Sequence, residues 1–403
     1  MLITLLVIFF LINGFIILSG RLYLYKGIAN TYMKGRSGPS IYDLNVFHCS
    51  WIKKGPEVSE LKEHSKLGQL KIPETYRQYI QELDTKALIV MKDDQLIHEE
   101  YWGAHSAESL SNSFSIAKTI VSLLIGIAVE EGEIESLDDP VHKYIESYGD
   151  HARKIITIRH LLQMASGLSW IESSANPLSD NAESYYGTNL REHIGRQKRL
   201  SEPGTVFNYQ SGNSQLLGMI IEKATGKSVS EYTEEKIWSQ IGMESDAHWS
   251  LDRKYGMEKA FCCLYAGARD FARIGRLILH KGLHNGKQII PKWYYEEMIA
   301  LNDLSTEEGI PNTRYGLHIW SYRGGENPAY YCRGIRGQYL ISIPEENLLI
   351  VRLGAKRKPD FEIPENRKND PVFVEQNKSK IGHCLGIFEY IALGKNLASQ
   401  IKD

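Results

Sequence analysis

The chain predicts an α/β (α+β) fold: an antiparallel sheet built from both ends of the sequence, flanked by helices, with a helical subdomain inserted between the two ends and a hydrophobic helix in front. Three observations lead there. Two strand-like runs, Ala87–Met91 and Leu96–Trp102, flank the turn Lys92-Asp93-Asp94-Gln95 and read as a hairpin. Strand patterns then vanish until Gly316 and return four times: Gly316–Ser321, Tyr330–Arg333, Gln338–Ile343 and Leu348–Leu353. The stretch between is mainly helical with many loops, so the sheet must be assembled from segments far apart in sequence.

In chain order, Leu2–Ser19 comes first. It holds no charged residue and spans about 27 Å as a helix, close to the thickness of a bilayer core. No Lys or Arg precedes it, and Ile17-Leu18-Ser19-Gly20 makes a poor cleavage site. These features predict a retained transmembrane anchor over residues 1–20. Residues 21–70 show turn signals and no sustained period, and are expected to form a juxtamembrane segment. Residues 71–403 are expected to form the main domain, with the helical subdomain over about 135–290. Pro73–Leu83 reads as an amphipathic helix with Pro in its first turn. A very apolar helix follows the hairpin, Thr119–Val129, ending at Gly132. A last helix is expected from about His383 to Leu393.

Composition narrows the function. The formal net charge is −2 and no dense basic stripe is present, which argues against nucleic acid as a partner. The five cysteines, Cys49, Cys262, Cys263, Cys332 and Cys384, contain no Cys-x-x-Cys, and the histidines no His-Glu-x-x-His. Neither a metal nor another cofactor is therefore expected. The cysteine pattern leaves room for one or two disulfides.

The chemistry concentrates at Ser115-Ile116-Ala117-Lys118, just ahead of the apolar helix. Positions i and i+3 share a helix face, so the Lys118 amine falls within reach of the Ser115 hydroxyl. Serine needs a neighbouring base to act as a nucleophile, and lysine becomes that base when burial depresses its pKa. The spacing recurs at Ser59–Lys62, in a charged stretch, and at Ser399–Lys402, in the C-terminal tail. Context has to decide between them.

Six ordered segments supply that context: Asn112–Ile120, Gly132–Pro140, Thr157–Leu168, Pro203–Gly218, Ala268–Gly275 and Gly334–Gln338. Together they resemble the penicillin-recognising serine hydrolases, in particular the class C β-lactamase-related branch with family VIII esterases and 6-aminohexanoate-dimer hydrolases. The resemblance runs from about residue 85 to 395. It implies a serine β-lactamase-like fold and a hydrolase that cleaves an ester or amide through an acyl-enzyme. Ser115 resembles the nucleophile, Lys118 its activating amine, and Tyr209 the tyrosine that relays protons. The backbone amides of Ser115 and Gln338 resemble the oxyanion hole, with Gly337 letting the strand approach the substrate.

The chain departs from the pattern in two places. The branch often has Tyr-x-Asn, whereas Tyr209 is followed by Gln210 and Ser211, so the polar role passes to Ser211 or Asn213. Where β-lactamases carry a cation or histidine, this chain has Ile335, which disfavours β-lactams. His280-Lys281-Gly282 has suitable letters but follows a helix and reads as a decoy. The substrate pocket is expected among the loops from Trp170 to Tyr186. Two alternatives stay open: a D-amino-acid peptidase, carboxypeptidase or β-lactamase acting on cell-wall-type substrates, and a catalytically silent binding module. The expected partners are a small ester or amide and, through residues 1–20, a membrane. The resemblance places the catalytic domain outside the cytoplasmic membrane, in the periplasm, although Arg21, Lys26, Lys34 and Arg36 favour a cytoplasmic flank.

Overall fold

The computed structural model describes residues 1–401. Its centre is a six-stranded antiparallel sheet. Across it, the strands run Trp320–Tyr322, Ala329–Gly334, Gln338–Ile343, Leu348–Gly354, Thr85–Lys92 and Gln95–Tyr101. The junction between the two ends of the chain is the pairing of Leu348–Gly354 with Thr85–Lys92, as the sequence pattern requires.

Strand Leu348–Gly354 is buried along its whole length, and its neighbouring residues show why. Successive side chains of a strand point to opposite faces. Leu349 meets Gly275 on helix Ala268–Leu279, and Ile350 meets Gly394 on helix Leu385–Ser399. A β-carbon at either glycine would come within 2.5 Å of the strand side chain. Each glycine thus lets its helix press directly on the sheet, one helix per face.

A smaller four-stranded sheet orders Cys49–Ile52, Ala247–Ser250, Leu264–Ala266 and Ser111–Asn112. It joins the N-terminal part of the chain to the segment that precedes Ser115. Four helices lead up to the site: α1 (Leu2–Leu18), α2 (Tyr23–Asn30), α3 (Glu74–Glu82) and α4 (Ile116–Glu130). In α4 all positions from Ile116 to Ala128 are buried, which accounts for a helix that is apolar on every side.

The N-terminal anchor and the membrane localisation read from the sequence are not supported. Among the described residues, no helix is long and apolar enough to cross a membrane. Helix α1 has 17 residues, or about 25 Å at helical rise, short of the roughly 30 Å of a bilayer core. The run stops because Gly20 takes a left-handed conformation (φ 70°), while Ser19, Gly20 and Arg21 donate back to Phe15, Ile17 and Ile16. The chain then turns into α2. The extracytoplasmic placement draws on the resemblance for a chain that carries such an anchor, and it loses that premise.

Candidate active site

Ser115 is placed by a sharp change of direction. The strand Ser111–Asn112 ends, Phe114 adopts a left-handed φ of 44°, and Ser115 becomes the residue that opens α4. A bulky residue avoids that conformation, which costs about 1–3 kcal/mol and persists only where its surroundings enforce it. Here they do. The Phe114 amide donates to the Asn112 side chain at 2.8 Å, and the Ser113 amide to the Leu264 carbonyl at 2.7 Å.

Lys118 lies one turn along. It is 1% exposed, and its Nζ donates to Ser115 Oγ at 2.9 Å and to the Phe261 carbonyl at 2.7 Å. Burial pushes its amine down to about 8, against a weaker upward pull from Glu172. Tyr209 is half-buried, with Lys118 Nζ 5.3 Å from its ring centroid and the rings of Trp320 and Tyr315 packed against it. Burial, then Glu172, hold its phenol well above the usual value, with Ser115, Arg333 and Arg357 pulling the other way. At neutral pH the proton therefore stays on Tyr209.

Two clefts meet at Ser115. One, of about 500 Å³, is polar, with Tyr209, Glu172, Arg333, Arg357 and Asp360 in its walls. The other, of about 120 Å³, is apolar and bounded in part by α2. Trp170 lines the polar cleft, where its indole donates to Glu172 at 2.7 Å and Asn181 at 3.1 Å. Tyr186 and Ser211 line the apolar one. The Ser211 amide and hydroxyl both donate to the Glu172 carboxylate.

The remaining residues singled out in the sequence lie elsewhere. Asn213 is fully buried, bonded to Ser166 and Met164, and borders neither cleft. Gln338 turns its side-chain amide to the Gly354 carbonyl, and the Gly337 carbonyl accepts from Arg352 at 2.6 Å. The part of the third motif that reaches the site is its front, Arg333, Gly334 and Ile335. Gly334 packs on the Ser113 carbonyl and the Phe114 β-carbon, and Ile335 lines both clefts together with Ser115. Ile335 begins a short 3₁₀ turn, so its amide has no acceptor within that turn. His280 is paired with Asp94 at 2.6 Å and takes no part.

Three features escaped sequence reading. Glu172 sits in a loop and looks like any surface carboxylate. Arg333 and Arg357 bring to the cleft the positive charge that Ile335 lacks; both share the Asp360 carboxylate, at 3.2 Å and 2.5 Å. Cys262 and Cys263, neighbours in sequence, form a disulfide, and Cys262 faces the apolar cleft next to the Phe261 carbonyl that holds Lys118.

Known proteins share this fold. Residues 76–371 match the model of the Beta-lactamase family. The 6-aminohexanoate-dimer hydrolase of Paenarthrobacter ureafaciens is 24% identical over 304 residues, covering 70% of this chain and 76% of that protein. A Bacillus anthracis structure provisionally named as a 6-aminohexanoate-dimer hydrolase superposes with a TM-score of 0.71 at 24% identity, over 85% of this chain and 94% of that one. A family VIII carboxylesterase superposes with a TM-score of 0.57 at 16% identity, over 80% of this chain and 98% of that one. With the family model spanning most of the sheet, α4 and the helical block between, the chain belongs to the Beta-lactamase family and is a serine hydrolase.

Proposed function

We propose that the protein cleaves an ester or amide through an acyl-enzyme on Ser115. The observation that carries this is the 2.9 Å approach of Lys118 Nζ to Ser115 Oγ, with the amine pushed down to about 8. A lysine so placed is neutral often enough near pH 8 to accept a proton. As Ser115 Oγ attacks the substrate carbonyl carbon, its proton passes to Lys118. The negative charge on the carbonyl oxygen is met by the amides of Ser115 and Ile335. Ile335 replaces Gln338 as the second donor, because Gly334 and Ile335 line the site and Gln338 does not. When the carbon–heteroatom bond breaks, the Tyr209 phenol gives its proton to the leaving group and is reprotonated from the Lys118 ammonium. Water then attacks the acyl-enzyme, and the same groups return its proton to Ser115. Trp170, Ser211 and Glu172 border the bound substrate.

The test is covalent labelling with a fluorophosphonate, followed by a panel of esters, linear amides, D-amino-acid peptides and nitrocefin. Labelling and turnover are expected in the wild type and absent in Ser115→Ala of unchanged fold. Unchanged hydrolysis by Ser115→Ala sinks the assignment. Preference for D-amino-acid peptides over esters and linear amides moves it to the peptidase reading.

A further inference from the structure

The geometry points to an aliphatic acyl chain as the part of the substrate that becomes attached to Ser115, bound in the apolar cleft walled by α2; this rests on the acyl-enzyme reading above. Ser115 borders both clefts, so a molecule attached there extends both ways. The two directions differ chemically. Toward α2 the surroundings are Leu24, Ile28, Tyr32, Phe114, Phe261 and Ile335. Toward the other side they are two arginines and the carboxylates of Glu307 and Asp360, with Glu172 standing at the boundary and lining both clefts.

Tyr209 decides which half of the substrate goes where. It borders the polar cleft and is absent from the apolar one. The group that protonates the departing heteroatom must stand on the leaving-group side. The leaving group is therefore in the polar cleft, and the acyl half is left to the apolar one. The fit of α2 is built in: Gly27 lies against the ring of Tyr186, where even a β-carbon would come within 3.3 Å. Arg336, in a left-handed turn at φ 64°, donates to the Pro39 carbonyl and ties the following segment to the third motif. The cleft wall is thus fixed to both the helical block and the sheet. Ile28 is 37% exposed at its rim.

The inference is tested on the purified full-length protein with p-nitrophenyl acetate, butyrate, hexanoate, octanoate and decanoate, and with acetate esters of alkanols of matching lengths. In the acyl series, kcat/KM is expected to rise by up to about fourfold per methylene until the cleft is filled. The alkanol series is expected to stay flat. Ile28→Asp, at the exposed rim, should reduce the octanoate-to-acetate ratio by about tenfold. Ile28→Trp should move the optimum to shorter chains, with circular dichroism verifying that each variant is folded. A wild-type optimum at acetate, or a rise in the alkanol series alone, overturns the inference while leaving the acyl-enzyme intact. An unchanged octanoate-to-acetate ratio in both folded variants overturns the assignment of the wall to α2. Failure of every ester while amides turn over overturns the inference alone, and failure of every ester and amide, with no fluorophosphonate label on Ser115, rejects the acyl-enzyme reading itself and the inference with it.

Discussion

Gly334 and Ser113 touch so closely that a β-carbon on Gly334 would stand 2.5 Å from the Ser113 carbonyl oxygen and 3.1 Å from the β-carbon of Phe114. The contact joins the end of strand Ala329–Gly334 to the turn that presents Ser115. It sets the spacing between the Ser115 and Ile335 amides.

Gly334→Ala is accordingly expected to lower kcat by about a hundredfold or more, the scale of losing one donor of an oxyanion hole. Overpacking of this contact should also destabilise the fold by about 1–3 kcal/mol. Steady-state kinetics beside thermal unfolding checks both. Near-normal kcat in a folded Gly334→Ala protein would falsify the role given to Ile335.

Lys118 gives a pH dependence with a defined sign. Its amine works as a base only when neutral, so kcat/KM should rise with pH and level off above about 8. Stability follows the same group. The amine lies near 8 in the fold and at the ordinary lysine value, about 10.4, when unfolded. Between these values the unfolded chain binds more protons, so stability from this group increases with pH across the window. The full change is roughly 3 kcal/mol and is at its most unfavourable below pH 8. Lys118→Met should lose two to four orders of magnitude in rate, roughly as for a positioned base, and flatten that stability increment in urea titrations at pH 7 and 10.

Tyr209→Phe is expected to separate substrates by leaving group. An amide nitrogen must be protonated to depart, whereas p-nitrophenolate leaves as a stabilised anion. Amide hydrolysis should fall by about a hundredfold to ten-thousandfold, and p-nitrophenyl ester acylation far less. Equal losses on both substrates, in single-turnover measurements, would show that Tyr209 acts on the nucleophile and not on the leaving group.

Asp360 neutralises the two cations of the polar cleft. Asp360→Asn should release Arg333 and Arg357 toward substrate and lower KM by about two- to fivefold for leaving groups that carry a carboxylate, nitrocefin included. Uncharged leaving groups should show no such gain. The comparison of the two KM changes at low and high salt is the check, because the gain should shrink as salt rises.

Much of the sheet and of the nucleophile's surroundings could be read from the sequence because they depend on short-range spacing. Gln338–Ile343 is a short apolar run bounded by Gly337 and Pro344, and Ser115 and Lys118 are one helical turn apart. By resemblance the second amide donor falls at Gln338, whereas the cleft is lined by the front of the third motif, Gly334 and Ile335. Its strand ends where Gly334 pairs with Gln338 across a turn containing Arg336 at φ 64°, and that register is fixed by tertiary pairing, which spacing alone does not reveal. Arg333 and Glu172 were passed over because a charged residue in a sequence carries no sign of what it will face. The anchor was inferred from an apolar run counted through Ser19, and the helix ends a residue earlier, at the turn made by Gly20. The segment after it looked like a linker because its contacts are made with residues more than a hundred positions away, such as Gly27 with Tyr186.

The part of the apolar wall built by α2 lies before the stretch, 76–371, that carries the family likeness. On the proposed acyl-binding role, substrate choice would be set by residues outside the part of the chain that matches the family model. For an engineer the same separation is a handle: the selecting surface can be redrawn by changes in a few N-terminal turns, with the residues that perform the reaction left as they are.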